Sequence, residues 1–174
     1  MVEHLRRLVL CWLVGLLGLL PWLAVAAPPA EAMTLRQLED PSCALVVAEV
    51  LARGATDWQR VPDLSPNAGY SDSAWWYDLQ LPPTAEAERL LEIAFPVLDL
   101  IELWVFDGEQ RVLVHHRMGD KLPFAMRPVV HRHFVVPLVR TPDGRDPVRV
   151  LVRVRTTSSV QFPVQLWRPA DFHD

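Results

Sequence analysis

Between residues 58 and 167, apolar and polar side chains alternate in short runs that Pro, Gly, Asn and Asp separate. Successive side chains of a β-strand point to opposite faces of the sheet, so a period of two is typical of strands with one buried face. Residues 148–155, for example, alternate four valines with three arginines and a leucine. The Asp107-Gly108 pair between two such runs is a strong hairpin signal. The pattern predicts an all-β sandwich or barrel of about eight antiparallel strands.

Turn residues mark the ends of the individual strands. One short helix is predicted over residues 43–54, where apolar side chains recur at helical spacing and Asp40, Pro41 and Ser42 offer capping groups. The predicted strands are residues 57–61, 74–81, 89–95, 99–106, 110–116, 129–138, 148–155 and 161–167.

The first 26 residues have the organisation of a secretory signal peptide. Arg6 and Arg7 precede a long apolar run that ends in the small residues Ala24 and Ala26. An uncleaved membrane anchor is the alternative, because the run approaches the ~20 apolar residues that span a bilayer. In both cases the arginines come first, so the rest of the chain is expected outside the cytoplasm. After the signal peptide (1–26) we expect a flexible lead or edge segment (27–37), one domain (38–168) and a short tail (169–174).

Charge and cysteine content narrow the class of protein. Cleavage after residue 26 removes Glu3, Arg6 and Arg7, which changes the net charge from −4 to −5. This mild acidity gives no reason to expect a nucleic-acid partner. Cys43 is then the one cysteine left, so an intramolecular disulfide is excluded. The fold depends on its hydrophobic core, for which a hydrophobic content of 51% is ample.

Two arginines are the first candidates for ligand binding. Arg132 lies on the apolar face of a predicted strand, where an unpaired buried charge is costly, and Arg127 lies on a Pro-flanked loop nearby. Arginine binds planar anions through paired hydrogen bonds, and an aromatic ring such as Trp76 suits a sugar. The alternatives are structural: Arg132 pairs with Asp99, Asp120 or a loop carbonyl, Arg127 closes its loop, and Trp76 packs under a loop.

Histidines and catalytic motifs give weaker indications. His131 and His133 are two residues apart on a predicted strand, which presents two imidazoles to zinc or copper. No acidic or thiolate motif with ligand spacing accompanies them, so we predict no metal and no other cofactor. The sequence has no G-x-S-x-G, no Cys-His arrangement and no Gly-rich phosphate loop, so we expect a protein that is not an enzyme.

Several blocks of sequence resemble a known family. They include YSDSAWWYDLQL (70–81) and a pattern GD-x-x-PF-x-x-R-x-x-x-H-R-x-F that begins at Gly119. The chain resembles the second type of extracellular domain of the seven-transmembrane receptors with diverse intracellular signalling modules (7TMR-DISM). The resemblance implies a jelly-roll β-sandwich similar to carbohydrate-binding modules. It also implies a periplasmic sensor role, ahead of seven membrane helices and a cytoplasmic output. The residues that match the family's recurring positions are Trp76, Asp99, Gly119, Asp120, Arg127, His131 and Arg132.

Two functional hypotheses follow. The first is a sensor that binds a carbohydrate or a small carboxylate at one rim of the sandwich. The second is a protein-interaction module that pairs with itself or with a partner receptor domain through Trp104 and Phe106, if these are exposed. Membrane attachment is expected only through a region beyond Asp174 or through an uncleaved N-terminal segment. The predicted ligand-binding residues are Trp76, Asp99, Asp120, Arg127, His131 and Arg132.

Overall fold

The computed structural model describes residues 32–172, so the predicted signal peptide lies outside the described residues. Within this range the chain is mostly β, with one short α-helix and three 3₁₀ turns. None of the helices described there is long and apolar enough to cross a membrane. The helix is α1 (Val47–Leu51), and the strands are β1 (Thr34–Asp40), β2 (Gln59–Val61), β3 (Asn67–Gly69), β4 (Ala74–Gln80), β5 (Glu88–Ile93), β6 (Leu100–Phe106), β7 (Val112–Met118), β8 (Phe134–Val139), β9 (Arg149–Arg155), β10 (Val160–Gln161) and β11 (Val164–Trp167).

The strands form an antiparallel sandwich. One layer is a six-stranded sheet in the order β2-β1-β4-β9-β6-β7, and the other contains β11-β5-β8 together with the short pair β10-β3. Alternate residues of both layers point into one shared core, as the period of two predicts. The predicted all-β sandwich is therefore confirmed. The largest of its fully buried side chains are Tyr77, Phe134, Phe162, Leu35, Leu79, Leu91, Ile93, Leu98, Ile101 and Leu103.

Strand β1 corrects the predicted flexible lead, which extended to residue 37. It pairs with β4 along its whole length, from Thr34 opposite Gln80 to Asp40 opposite Ala74. Leu35 enters the core and is 1% exposed. The segment carries few apolar residues, and its polar residues are stabilised by partners that lie far away in sequence, such as the ion pair of Arg36 with the carboxylate of β4 residue Asp78. The local pattern did not contain that information.

The outer face of the six-stranded sheet carries a second apolar cluster. Trp76, Phe106 and Leu151 project from β4, β6 and β9, and Val50 of α1 and Trp58 cover them. Trp76 and Phe106 are each 1% exposed. The alternating sequence pattern predicts one buried face for each such strand, β4 included. The structure buries both faces, because α1 and the segment after it fold over the outer one.

Helix α1 is shorter than the predicted residues 43–54. The predicted caps at residues 40–42 lie ahead of the actual N-cap, Val46; the Asp40 carboxylate instead accepts hydrogen bonds from the Leu45 amide (3.0 Å) and the Ser42 hydroxyl (2.5 Å) in the segment before the helix. The Glu49 carboxylate accepts one from the Val46 amide at 3.0 Å. Cys43 has a φ of +54°, a conformation outside the helical range, so the helix begins only after it.

Candidate functional site

The predicted site residues lie in several different environments. Trp76 is packed in the second apolar cluster, where a ligand has no access to it. Arg132 is exposed, because β8 begins at Phe134 and the three residues before it form a bend. The prediction of a buried guanidinium on an apolar strand face is therefore wrong. Asp120 is exposed, and Asp99 is largely covered, with a side chain that is 13% exposed.

Arg127 binds the protein's own backbone. Its Nη1 donates hydrogen bonds to the carbonyl oxygens of His131 (3.0 Å) and Arg132 (2.7 Å). The guanidinium carbon lies 4.4 Å from the ring centroid of Phe134 and 4.7 Å from that of Phe124. Burial lowers the pKa of Arg127, and the negative charge of Asp120 opposes this effect. These contacts correspond to the structural alternative, in which Arg127 closes its loop onto the sandwich.

The Gly-Asp pair at residues 119 and 120 holds two loops together. A Cβ atom on Gly119 would lie 2.1 Å from the backbone oxygen of Asp99, so the close approach requires glycine. The Asp120 amide donates to the Leu98 carbonyl at 2.7 Å, and the Lys121 amide donates to the Asp99 carbonyl at 3.3 Å. The pair therefore places the Lys121 side chain beside Asp99.

Asp99 is the centre of a hydrogen-bonded network. Its Oδ2 accepts bonds from Lys121 Nζ (2.7 Å), the Thr157 amide (2.7 Å) and Thr157 Oγ1 (2.8 Å). Burial by itself raises the pKa of Asp99, but the bonds from Lys121 and Thr157 outweigh it, so the pKa lies below its ordinary value. The carboxylate is therefore ionised and fixed in position at neutral pH.

A cavity of about 280 Å³ opens beside this network. It lies where β6 begins and β9 ends, because Leu100 and Arg155 are direct cross-strand partners. Arg155 is exposed, and no residue within 32–172 forms an ion pair or hydrogen bond with its guanidinium. We call this cavity the Asp99 pocket; the residues that line it are Asp72, Asp99, Leu100, Lys121, Arg155, Thr156 and Thr157.

Of the six predicted site residues, Asp99 alone is among those that line this pocket. Sequence reasoning missed Lys121, Arg155 and Thr157. Lys121 follows the Gly-Asp pair directly, which is a usable signal once that pair is known to contact residue 99. Arg155 was assigned to a solvated strand face, and its place beside Asp99 depends on the pairing of β9 with β6.

His131 belongs to a separate cluster on the outer face of the three-stranded layer. Its Nδ1 accepts a hydrogen bond from the His133 amide at 3.1 Å. His133 Nδ1 lies 2.6 Å from Glu92 Oε1, and Glu92 Oε2 accepts a bond from Trp167 Nε1 at 2.8 Å. Glu92 is far upstream in sequence, and the pairing of Glu92 with Val135 brings it to the histidines. No sequence motif shows this proximity.

The fold and the Asp99 pocket together define an all-β sandwich domain with a small polar pocket at one rim. The family model described as 7TMR-DISM extracellular 2 matches residues 32–168, and the chain belongs to this family. The family consists of extracellular sensor domains of seven-transmembrane receptors, so this is a sensor domain that acts outside the cytoplasm. A comparison with curated proteins gave no match.

Proposed function

We propose that this domain is the periplasmic ligand-binding part of a bacterial signalling receptor, and that a carbohydrate or a small carboxylate binds in the Asp99 pocket without being chemically converted. The observation that carries the proposal is the unpaired guanidinium of Arg155 beside a fixed carboxylate. A guanidinium offers paired donors to a carboxylate or to adjacent hydroxyls. The ionised Asp99, held by Lys121 and Thr157, offers an acceptor of fixed orientation for a hydroxyl.

The size and charge of the pocket restrict the ligand. Its volume of about 280 Å³ is just below the ~300–1,000 Å³ that is typical of ligand pockets. Two cations, Lys121 and Arg155, face two carboxylates, Asp72 and Asp99. This balance favours a ligand of monosaccharide size with hydroxyl groups, and a single carboxylate on it would be bound by Arg155.

The other predicted site residues have different places in this proposal. Asp120 remains a candidate rim residue, because it is exposed and adjacent to Lys121. Arg127 positions the loop that precedes β8 and does not offer its Nη1 donors to a ligand. Trp76 stabilises the six-stranded sheet by packing in the second apolar cluster on its outer face.

Arg155→Ala should weaken binding of the ligand by roughly 10-fold to 100-fold, since a hydrogen bond to a charged group contributes ~1.5–3 kcal/mol. The measurement is isothermal titration of purified protein with the sugars and sugar acids that raise its melting temperature in a screen. Arg132→Ala is the matched control, because that arginine is also exposed but does not line the pocket. Equal affinity of the Arg155→Ala variant and the wild type, or a screen without any binder, would contradict the proposal.

A second candidate function is pairing with another copy of the domain or with a partner receptor domain. The surface first expected for this, Trp104 with Phe106, is not exposed as an apolar patch. Phe106 is 1% exposed, and the Trp104 ring stacks between Trp76 (5.7 Å between centroids) and His115 (4.8 Å). The condition on which that surface depended, exposure of both rings, is therefore not met, because α1 and its neighbouring segment cover this face.

The observation that favours pairing concerns strand β7, which lies beside β6 at the edge of the sheet. Strand β7 is the last strand of the six-stranded sheet, and Val112 and Val114 on it are 52% and 37% exposed. An edge strand presents backbone groups that a second strand can bind. A concentration-dependent dimer in sedimentation that Val114→Lys abolishes supports this function. Val139→Lys is the control, because Val139 is an exposed valine on the other layer. A strict monomer at all concentrations excludes a self-pairing role.

A further inference from the structure

The outer face of the three-stranded layer carries a buried carboxylate. On β5, Leu91 and Ile93 point into the core, so Glu92 between them points to the opposite face. Glu92 is nevertheless only 8% exposed, because His133 and Trp167 bond to it there. A carboxylate in such surroundings is destabilising unless charged or hydrogen-bonding partners compensate for the lost water. His133 and Trp167 therefore compensate the Glu92 carboxylate for the water that it loses on burial.

Both oxygens of this carboxylate are occupied. Oε2 accepts the Trp167 indole N–H at 2.8 Å, and Oε1 lies 2.6 Å from His133 Nδ1. An ionised carboxylate only accepts hydrogen bonds, so the proton between Oε1 and the imidazole belongs to Nδ1. A proton held between an imidazole nitrogen and a carboxylate occupies a position that a metal ion also favours, because both atoms are common ligands.

His131 supplies a third potential metal ligand. Its Nδ1 accepts the His133 amide N–H at 3.1 Å, and its ring meets the edge of the His133 ring with 5.4 Å between centroids. Phe172 packs against it from the chain's C-terminal side, at 5.2 Å. One potential ligand atom from each of Glu92, His131 and His133 lies within 4.8 Å of the other two.

We propose that Glu92, His131 and His133 form a binding site for one divalent transition-metal ion, with zinc as the expected occupant. Two imidazoles and one carboxylate are a ligand set that zinc uses, with a fourth position left for water. The ion takes the place of the proton between Glu92 Oε1 and His133 Nδ1, and through exchange with solvent the neutral imidazole carries its one proton on Nε2 instead. Trp167 keeps its bond to Oε2 and orients the carboxylate from outside the metal shell.

The local backbone allows the small adjustment that binding requires. Zinc ligands lie ~2.0–2.2 Å from the metal, so the three atoms must draw closer together than 4.8 Å. Residues 131–133 form a bend outside the ladder of β8, so their side chains can rotate without breaking strand pairing. The expectation of no metal arose because no acidic ligand is near the histidines in sequence, and the pairing of β5 with β8 supplies one.

This inference goes beyond the proposed ligand-binding function, because none of the three residues lines the Asp99 pocket. Two experiments can therefore fail independently. Arg155→Ala should bind zinc like the wild type, and His131→Ala should keep its affinity for a ligand of the Asp99 pocket.

The test is equilibrium dialysis of the purified, tag-free protein against zinc alone. The wild type should bind one zinc ion per chain, and zinc should raise its melting temperature. His131→Ala should lower the affinity by more than about tenfold, because loss of even an outer partner of a metal ligand typically costs ~10–100-fold. This variant leaves both contacts of Glu92 in place, so it should fold. His133→Ala and Glu92→Gln should lower the affinity in the same way.

His115→Ala is the matched control, because His115 is an exposed histidine on β7 that belongs to no such cluster in the described part of the chain. It should bind zinc as the wild type does. The proposal is overturned if the wild type takes up no stoichiometric zinc, if His131→Ala binds zinc unchanged, or if His115→Ala removes the binding.

Discussion

At the scale of single residues, Asp99 and Arg127 illustrate what sequence can and cannot show. Both were predicted to contact a ligand, since both carry charge beside apolar strands. Asp99 does line a pocket, but Lys121 and Thr157, which bond to it, come from two different loops. The Arg127 side chain instead binds the backbone of its own loop, where two carbonyl oxygens accept its hydrogen bonds. The sequence showed that each charged side chain needs a binding partner, whereas the identity of that partner depended on the fold.

Asp99→Asn should make the domain less stable at neutral pH, by roughly 1–2 kcal/mol, since bonds to a charged acceptor are replaced by weaker ones. The folded-state pKa of Asp99 is lowered. Its stabilisation is therefore fully present above the unfolded-state pKa of ~3.9, and is lost as pH falls through the lower folded-state value. Urea unfolding between neutral pH and strong acid should show that the difference between wild type and variant shrinks in acid.

Asp63→Asn provides the control for this experiment. Asp63 is exposed, and an asparagine there keeps an acceptor for the Ser65 amide. Its unfolding free energy should follow that of the wild type at each pH. A constant difference between wild type and Asp99→Asn across the whole pH range would show that the network around Asp99 does not depend on its charge.

Gly119→Ala should destabilise the domain by about 2 kcal/mol or more, because the added methyl group overlaps the backbone of Asp99 and neither loop can retreat easily. Thermal unfolding measures the loss. Gly108→Ala is the comparison, since a Cβ at Gly108 meets no atom within 4 Å. If both alanine variants unfold at the same temperature, the contact between residues 119 and 99 is not a constraint on the fold.

At the scale of strands and loops, β8 shows why a predicted boundary was wrong. The alternation of residues favoured a strand from 129 to 138, but β8 begins at Phe134. Side chains in the loop before β8 form hydrogen bonds with backbone groups that a strand would pair with its neighbour. Arg127 binds the carbonyls of His131 and Arg132, and the His131 ring accepts the amide of His133. A period of two describes side-chain burial, and it does not report this competition for backbone hydrogen bonds.

The buried carboxylate of Asp78 links the three neighbouring strands β1, β4 and β9 through two ion pairs. Asp78 is 0% exposed, and its carboxylate binds Arg36 of β1 and, at 2.7 Å, Arg149 of β9. Asp78→Ala leaves both guanidinium groups without their carboxylate, and should destabilise the domain by ~3–5 kcal/mol. Chemical denaturation provides the measurement.

Asp146→Ala removes an ion pair of the opposite kind and is the matched variant. Arg140 and Asp146 are 36% and 43% exposed, and such surface pairs contribute ~0–1 kcal/mol. A loss for Asp78→Ala as small as that for Asp146→Ala would mean that the link between the three strands does not stabilise the sheet.

At the scale of the whole molecule, the class of fold followed from the sequence and most of the site did not. Each of the eight predicted strands has a counterpart, because alternation and turn residues are local signals. Strands β3 and β10 were not predicted, since they have three and two residues and pair only with each other. Strand β1, the second apolar cluster and the Asp99 pocket depend on contacts between distant segments, which local patterns do not encode.

Strand β9 connects the buried carboxylate of Asp78 with the Asp99 pocket. Its first residue, Arg149, forms an ion pair with Asp78, and its last residue, Arg155, lines the pocket. Between them Val150, Leu151, Val152 and Val154 are fully enclosed, by the main core on one face and the second cluster on the other. A displacement of β9 at its pocket end would disturb both apolar clusters and the contact with Asp78, so we expect a conformational change that begins at the pocket to involve the whole sheet.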